Sequence, residues 1–302
     1  SYKPAGPKVP ILFVNFLLQR IADLTGITLA GSFLEHPTWK QLILTNWRAL
    51  DGATAITVNK HVPAWTIPNF LLELRKIPNL QLTFDSVEKR LTLDFWEQQL
   101  TKPAAKDWTD KAVAGHKKYH EINRRLHLAY SLDGGDGLMK DRPEVLEDYI
   151  TPAAAVLGDV ANSMVKVNFQ LTTFPVDEIT GLPVARQTGV TEEFNQLAVS
   201  TQPRLLFWHG IVSGKPRALP ELDGLNLYLS EPDGLAERYW SNTEQQRLEM
   251  FYLQKDFILT ETDLALFDFS EKIHYNGLDY LVASITGELP VVKPFTCLLV
   301  KA

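Results

Sequence analysis

The chain has 302 residues, of which 45% are hydrophobic and 22% charged, an ordinary globular composition with room for about two domains of ~150 residues. A net charge of −6 argues against general affinity for nucleic-acid phosphates, and a single cysteine excludes an intrachain disulfide framework. No apolar run reaches the ~18 residues of a membrane span, and no charged-then-apolar signal pattern opens the chain.

Residues 1–10, SYKPAGPKVP, carry three prolines and a glycine, which suits an extended linker following a preceding domain. From Pro10 onward, Phe13, Leu17, Ile21 and Leu24 recur at helical spacing, and Gly26 offers a left-handed cap. Two alternating stretches follow. The same order returns at residues 67–95. Pro68 suits a first helical turn, and Phe70, Leu71, Leu74 and Ile77 share one face. Pro78 then ends the helix, and Leu80, Leu82 and Phe84 alternate ahead of a polar turn and Leu91, Leu93 and Phe95. Each unit reads as a helix leading into a β-hairpin, half a core by itself. The expected fold is α+β: a paired helix–hairpin module over 11–115, with Phe16, Leu17, Ile21, Phe70, Leu71 and Leu74 buried inside it. A mainly antiparallel, barrel-like β region over 116–302 follows.

The stretches FLLQRIADLTGITLAGSFL, HVPAWTIPNFLLELRKIPNLQLTFDSVEKRLTL and KDWTDKAV resemble tail-tip and baseplate hub proteins of tailed phages and prophages, of the kind found in Bacteroidetes. The resemblance spans roughly residues 9–130. It implies a preceding N-terminal domain and a structural, non-enzymatic role in the virion tail, assembled in the bacterial host cytoplasm. It also implies partners: further copies in a ring such as a trimer or hexamer, and neighbouring tail proteins.

Beyond residue 115 the pattern changes. Ile122, Leu126, Leu128 and Tyr130 alternate, and DGGDG at 133–137 reads as a turn that lacks the oxygen ligands of a calcium loop. Strands are expected in MVKVNFQLTTF, PRLLFWHGIV and LNLYLS, a long helix over 234–253, and a terminal hairpin turning on Asn276-Gly277.

Candidate chemistry is sparse, and no catalytic, cofactor or metal residue is assigned. His116 and His120 stand at i, i+4, as zinc ligands on a helix can, but Lys117, Lys118, Arg124 and Arg125 oppose a cation. Cys297 sits in the apolar FTCLLV and reads as an inert buried thiol. VSGKPR at 212–217 lacks the glycine and hydroxyl of a phosphate loop, and Asp223, Glu231, Asp233 and Glu237 read as loop and helix-start carboxylates. Two segments without apolar periodicity, 174–190 and 214–224, are the expected interface, through Val176, Asp177, Glu178, Ile179, Arg217, Ala218 and Leu219. The seven tryptophans leave a second reading open, a carbohydrate-binding or host-surface attachment module that stacks indoles on sugar rings.

Overall fold

The computed structural model describes residues 9–46, 55–132, 142–153, 164–183, 203–290 and 293–302. The chain is mixed helix and strand, its sheets mainly antiparallel. Among the described residues none of these sheets closes into a barrel, so the barrel-like expectation is corrected to open sheets. Contacts divide the chain into two compact units. Unit 1 holds residues 1–95, 128–149 and 166–240, and unit 2 holds 96–127, 150–165 and 241–302.

Unit 1 is built on a five-stranded sheet. Strand Leu42–Thr45 lies between Leu12–Phe13 and Arg204–Val212, antiparallel to both. All four of its residues are buried, as a continuous apolar run requires when neighbours flank both sides. Thr172–Thr173 runs parallel to the start of Arg204–Val212, and Lys215–Leu219 returns antiparallel along its second half. That hairpin turns on Ser213-Gly214, with φ of 51° and 74°.

The second expected helix–hairpin unit forms as read. Helix Ile67–Lys76 is capped by Thr66, whose hydroxyl accepts from the Asn69 N–H, and Pro68 stands in its first turn. It ends with Arg75 and Lys76 near the negative end of the helix dipole. Strands Leu80–Asp85 and Arg90–Phe95 then pair antiparallel, with Leu91, Leu93 and Phe95 buried. Phe84 is exposed, so the inward alternation fails at the outer end of the first strand.

The first unit is not a hairpin. After helix Val14–Thr25, strand Thr28–Ala30 joins Arg90–Phe95 in parallel, while Leu42–Thr45 enters the other sheet. Gly31 separates the two destinations. It holds φ of +115°, and a side chain there would collide with the Leu93 backbone. The buried stripe of the helix is Val14, Leu17, Leu18 and Ala22. Phe13, Phe16 and Leu24 are exposed and Ile21 only half-buried, a rotation of the expected face toward Leu18. In the second helix Phe70 and Leu74 are buried, Ile77 directly after it is buried too, and Leu71 is half-buried.

Unit 2 centres on an open six-stranded sheet in the order Lys106–Asp107, Lys272–Tyr275, Leu278–Thr286, Phe295–Lys301, Phe251–Phe257 and Lys117–His120. Its core gathers Trp108, Phe257, Ile273, Tyr280, Phe295 and Leu299. The terminal hairpin turns on Asn276-Gly277 as expected, φ 48° and 81°. The helix expected over 234–253 is shorter: a π turn at Ala236–Trp240 continues as helix Ser241–Glu249, and residues from Phe251 belong to the sheet. Phe251–Phe257 buries Leu253, Lys255 and Phe257, a period of two that overrides helix extension. Lys255 is buried yet satisfied, its ammonium donating to the Val113 and Gly115 carbonyls. Glu97 is also buried, and its carboxylate accepts from the Asn242 and Thr243 N–H groups at the start of helix Ser241–Glu249.

Two predictions follow from this packing. Phe70→Ala should destabilise unfolding in denaturant by about 3–5 kcal/mol, whereas Phe16→Ala should change it by under ~1 kcal/mol. The second concerns Asp263, which pairs with Lys111 at 2.5 Å and forms a reciprocal cap with Thr260. The Lys111 hydrogen bond first, then those from Thr260, hold its carboxyl down at about 2, against 3.8 in the unfolded chain. A depressed folded value means the pair's contribution is complete above pH 4 and disappears as pH falls through about 2. Solvent screens this partly exposed pair, so the contribution is on the order of 1 kcal/mol. The stability gap between wild type and Asp263→Asn should therefore be present at pH 7 and close by pH 2.

Candidate functional site

The residues singled out for chemistry do not converge. Cys297 is fully buried, and burial pushes its thiol up to about 12, which removes the nucleophilic thiolate at neutral pH. His116 precedes an exposed edge strand and His120 ends it, instead of sharing a helix face. Residues four apart along a strand stand ~13 Å from each other, too far to share one ion. No cluster of three metal-ligating side chains occurs among the described residues. VSGKPR forms the turn and return of the Arg204–Val212 hairpin. The DGGDG turn at 133–137, Trp47, and positions 184–190 of the expected interface loop lie outside the described residues.

The expected interface residues take two different places. Val176 bridges Pro183, closing a short turn. Within it the Asp177 carboxylate accepts from the N–H groups of Ile179 and Thr180 and from the Thr180 hydroxyl. The Thr180 N–H and hydroxyl hold that carboxyl below its usual range. Ile179, at the tip, is 96% exposed. Arg217, Ala218 and Leu219 instead form part of the return strand Lys215–Leu219. Leu219 is buried, and Ala218 packs against Ile43, Phe174 and Leu206. These two side chains therefore serve the interior of unit 1.

A concave site lies along the outer face of helix Ile67–Lys76, within unit 1, with a volume of about 580 Å³. Asn69, Leu72, Glu73 and Lys76 fall three and four residues apart and so line one helix face. Trp65, just before the helix, and Trp240 also belong to the lining. Gln170 and Val167 bring in the segment following residue 164. That segment is fastened to the helix by Glu73, whose carboxylate accepts from the Gln170 N–H at 3.1 Å and pairs with Lys76 at 2.6 Å. Lys76 also donates to the Asn168 carbonyl. At the helix exit Asn79 takes a left-handed φ of 47°, which asparagine tolerates, and its amide donates to the Tyr239 carbonyl at 2.8 Å. Arg75 is exposed at the rim, and no ion pair holds it among the described residues.

Trp39 and Trp108 are core residues at 0% and 2% exposure, while Trp65 is partly accessible at the cleft. The polar row Asn69–Glu73–Lys76 behind Trp65 is visible in the sequence. What places Gln170 and Trp240 opposite it is tertiary.

No protein-family model matches the chain, and no curated protein matches it. Among solved structures, the 43 kDa tail protein of prophage MuSo2 from Shewanella oneidensis is similar with a TM-score of 0.42 and 11% identity. The match covers 99% of this chain and 66% of that one, so the chain spans about two thirds of that protein's length.

Removing the Glu73 carboxylate should release the Gln170 segment. Glu73→Ala is expected to cost about 1–3 kcal/mol in denaturant unfolding. It should also accelerate hydrogen exchange at the Gln170 amide, while exchange at the Cys297 amide stays slow.

Proposed function

We propose that this chain is a structural component of a phage-like tail tip or baseplate, working by docking onto copies of itself and onto neighbouring tail proteins in the virion. The reading begins from the sequence resemblance over residues 9–130. The observation that carries it is the Val176–Pro183 turn, where a large aliphatic side chain, Ile179, stands almost wholly in solvent on a backbone braced by Asp177. Leu182, beside it, is 48% exposed. A rigid turn presenting apolar side chains loses little conformational entropy on docking, which favours its use as a contact. Arg217, at partial exposure in strand Lys215–Leu219, offers a polar group for the rim of such a contact. In this reading the chain does no chemistry, and its assembly with itself closes into a ring such as a trimer or hexamer.

The test is made in the particle. Ile179→Asp combined with Leu182→Ser alters exposed side chains only, so the isolated chain should unfold at an unchanged denaturant concentration. If the turn is an anchor worth ~2 kcal/mol, docking weakens roughly 30-fold and assembled tails counted by electron microscopy fall accordingly. Normal tail numbers with full infectivity would remove the assignment.

A further inference from the structure

The cleft beside helix Ile67–Lys76 has no part in that assembly reading, and its composition is that of a ligand site. We propose that it binds an acidic saccharide, a sugar bearing a carboxylate, with Trp65 under a ring face and Arg75 on the acid group. Its volume of about 580 Å³ falls within the range of small-ligand pockets, ~300–1,000 Å³.

Three features select the ligand class. The first is the pairing of indole with amide. Trp65 is partly exposed in the lining, and the exposed residues Asn69 and Gln170 bring side-chain amides to it, that of Gln170 also donating to the Ser131 hydroxyl. A pyranose has one apolar C–H face and a periphery of hydroxyls, and this lining offers a surface to each. The second is charge. Glu73 and Lys76 neutralise each other at 2.6 Å, which leaves Arg75 as the net charge of the cleft. A guanidinium binds a carboxylate through two parallel hydrogen bonds, so the site prefers an anionic ligand to a neutral one.

The third feature is Trp240. It is 8% exposed, it contributes to the cleft wall, and its buried indole N–H has no hydrogen-bond partner among the described residues. That nitrogen is closed off from solvent, so the residue meets a ligand only through the part of its ring that lines the cleft, a fixed apolar surface for a sugar's C–H face. The ring is fixed by edge-to-face contact with Phe169 at 6.2 Å, so this part of the wall is held in place before any ligand arrives.

The experiment is calorimetric titration of the full chain with trigalacturonate, with its fully methyl-esterified form, and with triglutamate. Trigalacturonate should bind, the ester at least tenfold more weakly, and triglutamate not at all. Arg75→Gln should lose at least tenfold for trigalacturonate while leaving the ester unchanged. Trp65→Ala should lose at least tenfold for both sugars, and Trp65→Phe should retain most of the binding. Neither side chain is buried, so the circular dichroism and unfolding midpoint of each variant should match wild type. Absence of trigalacturonate binding overturns the proposal. Equal binding of trigalacturonate and triglutamate also overturns it, since the site would then recognise charge alone. Because the Ile179 turn is remote in sequence from these residues and untouched by both variants, failure here leaves the assembly reading standing.

Discussion

Unit 1 depends on one aromatic residue. Trp39, wholly buried, stands at 5.7 Å from Phe33, 5.5 Å from Phe207 and 5.5 Å from Tyr239, and its indole N–H donates to the Tyr239 hydroxyl at 2.8 Å. Phe207 belongs to the five-stranded sheet. Tyr239 stacks on Phe95 at 5.4 Å, and Phe95 belongs to the three-stranded one. A cluster of rings thus joins two sheets that share no ladder. Each tilted or stacked pair adds about 0.5–1.5 kcal/mol beyond the area it buries. Burial raises the Tyr239 phenol above its ordinary value against the opposing Trp39 hydrogen bond, so the group stays neutral inside the cluster.

The cleft inherits its shape from that cluster. Tyr239 contributes its ring to Trp39 and Phe95, and its carbonyl to the Asn79 amide. Trp240, the next residue, is thereby fixed as wall. The π turn Ala236–Trp240 carries two consecutive aromatic side chains, Tyr239 among the core rings and Trp240 in the cleft lining. From the opposite side, Glu73 ties the Gln170 segment down with hydrogen bonds that would be lost if the helix shifted by one residue.

What could be read in the sequence was what is local. The second helix–hairpin unit carries its own instructions: Thr66 as cap, Pro68 in the first turn, Asn79 in a left-handed exit and a clean alternation through Leu91, Leu93 and Phe95. Asn276-Gly277 declares its hairpin in the same way. The first unit misleads because Leu42–Thr45 has the same length and polarity as a hairpin strand, and its true neighbour, Arg204–Val212, lies about 160 residues away. The buried helix face lies one position from the expected one because Phe13, Phe16 and Leu24 are apolar but exposed. Similarly, Arg217–Leu219 looked unpatterned because a five-residue strand with proline inside it shows too little alternation to register. The cleft was half legible: the polar row on the helix can be counted, but its opposite wall exists only after folding.

The interleaving of the two units has a consequence for heredity. The chain passes from one unit to the other after residues 95, 127, 149, 165 and 240. Neither unit is a continuous stretch of coding sequence. A recombination joint anywhere between codons 96 and 240 would assemble each unit from two parents, so mismatched interiors would meet in both at once. A joint between residues 95 and 96, or between 240 and 241, would split only one of the two.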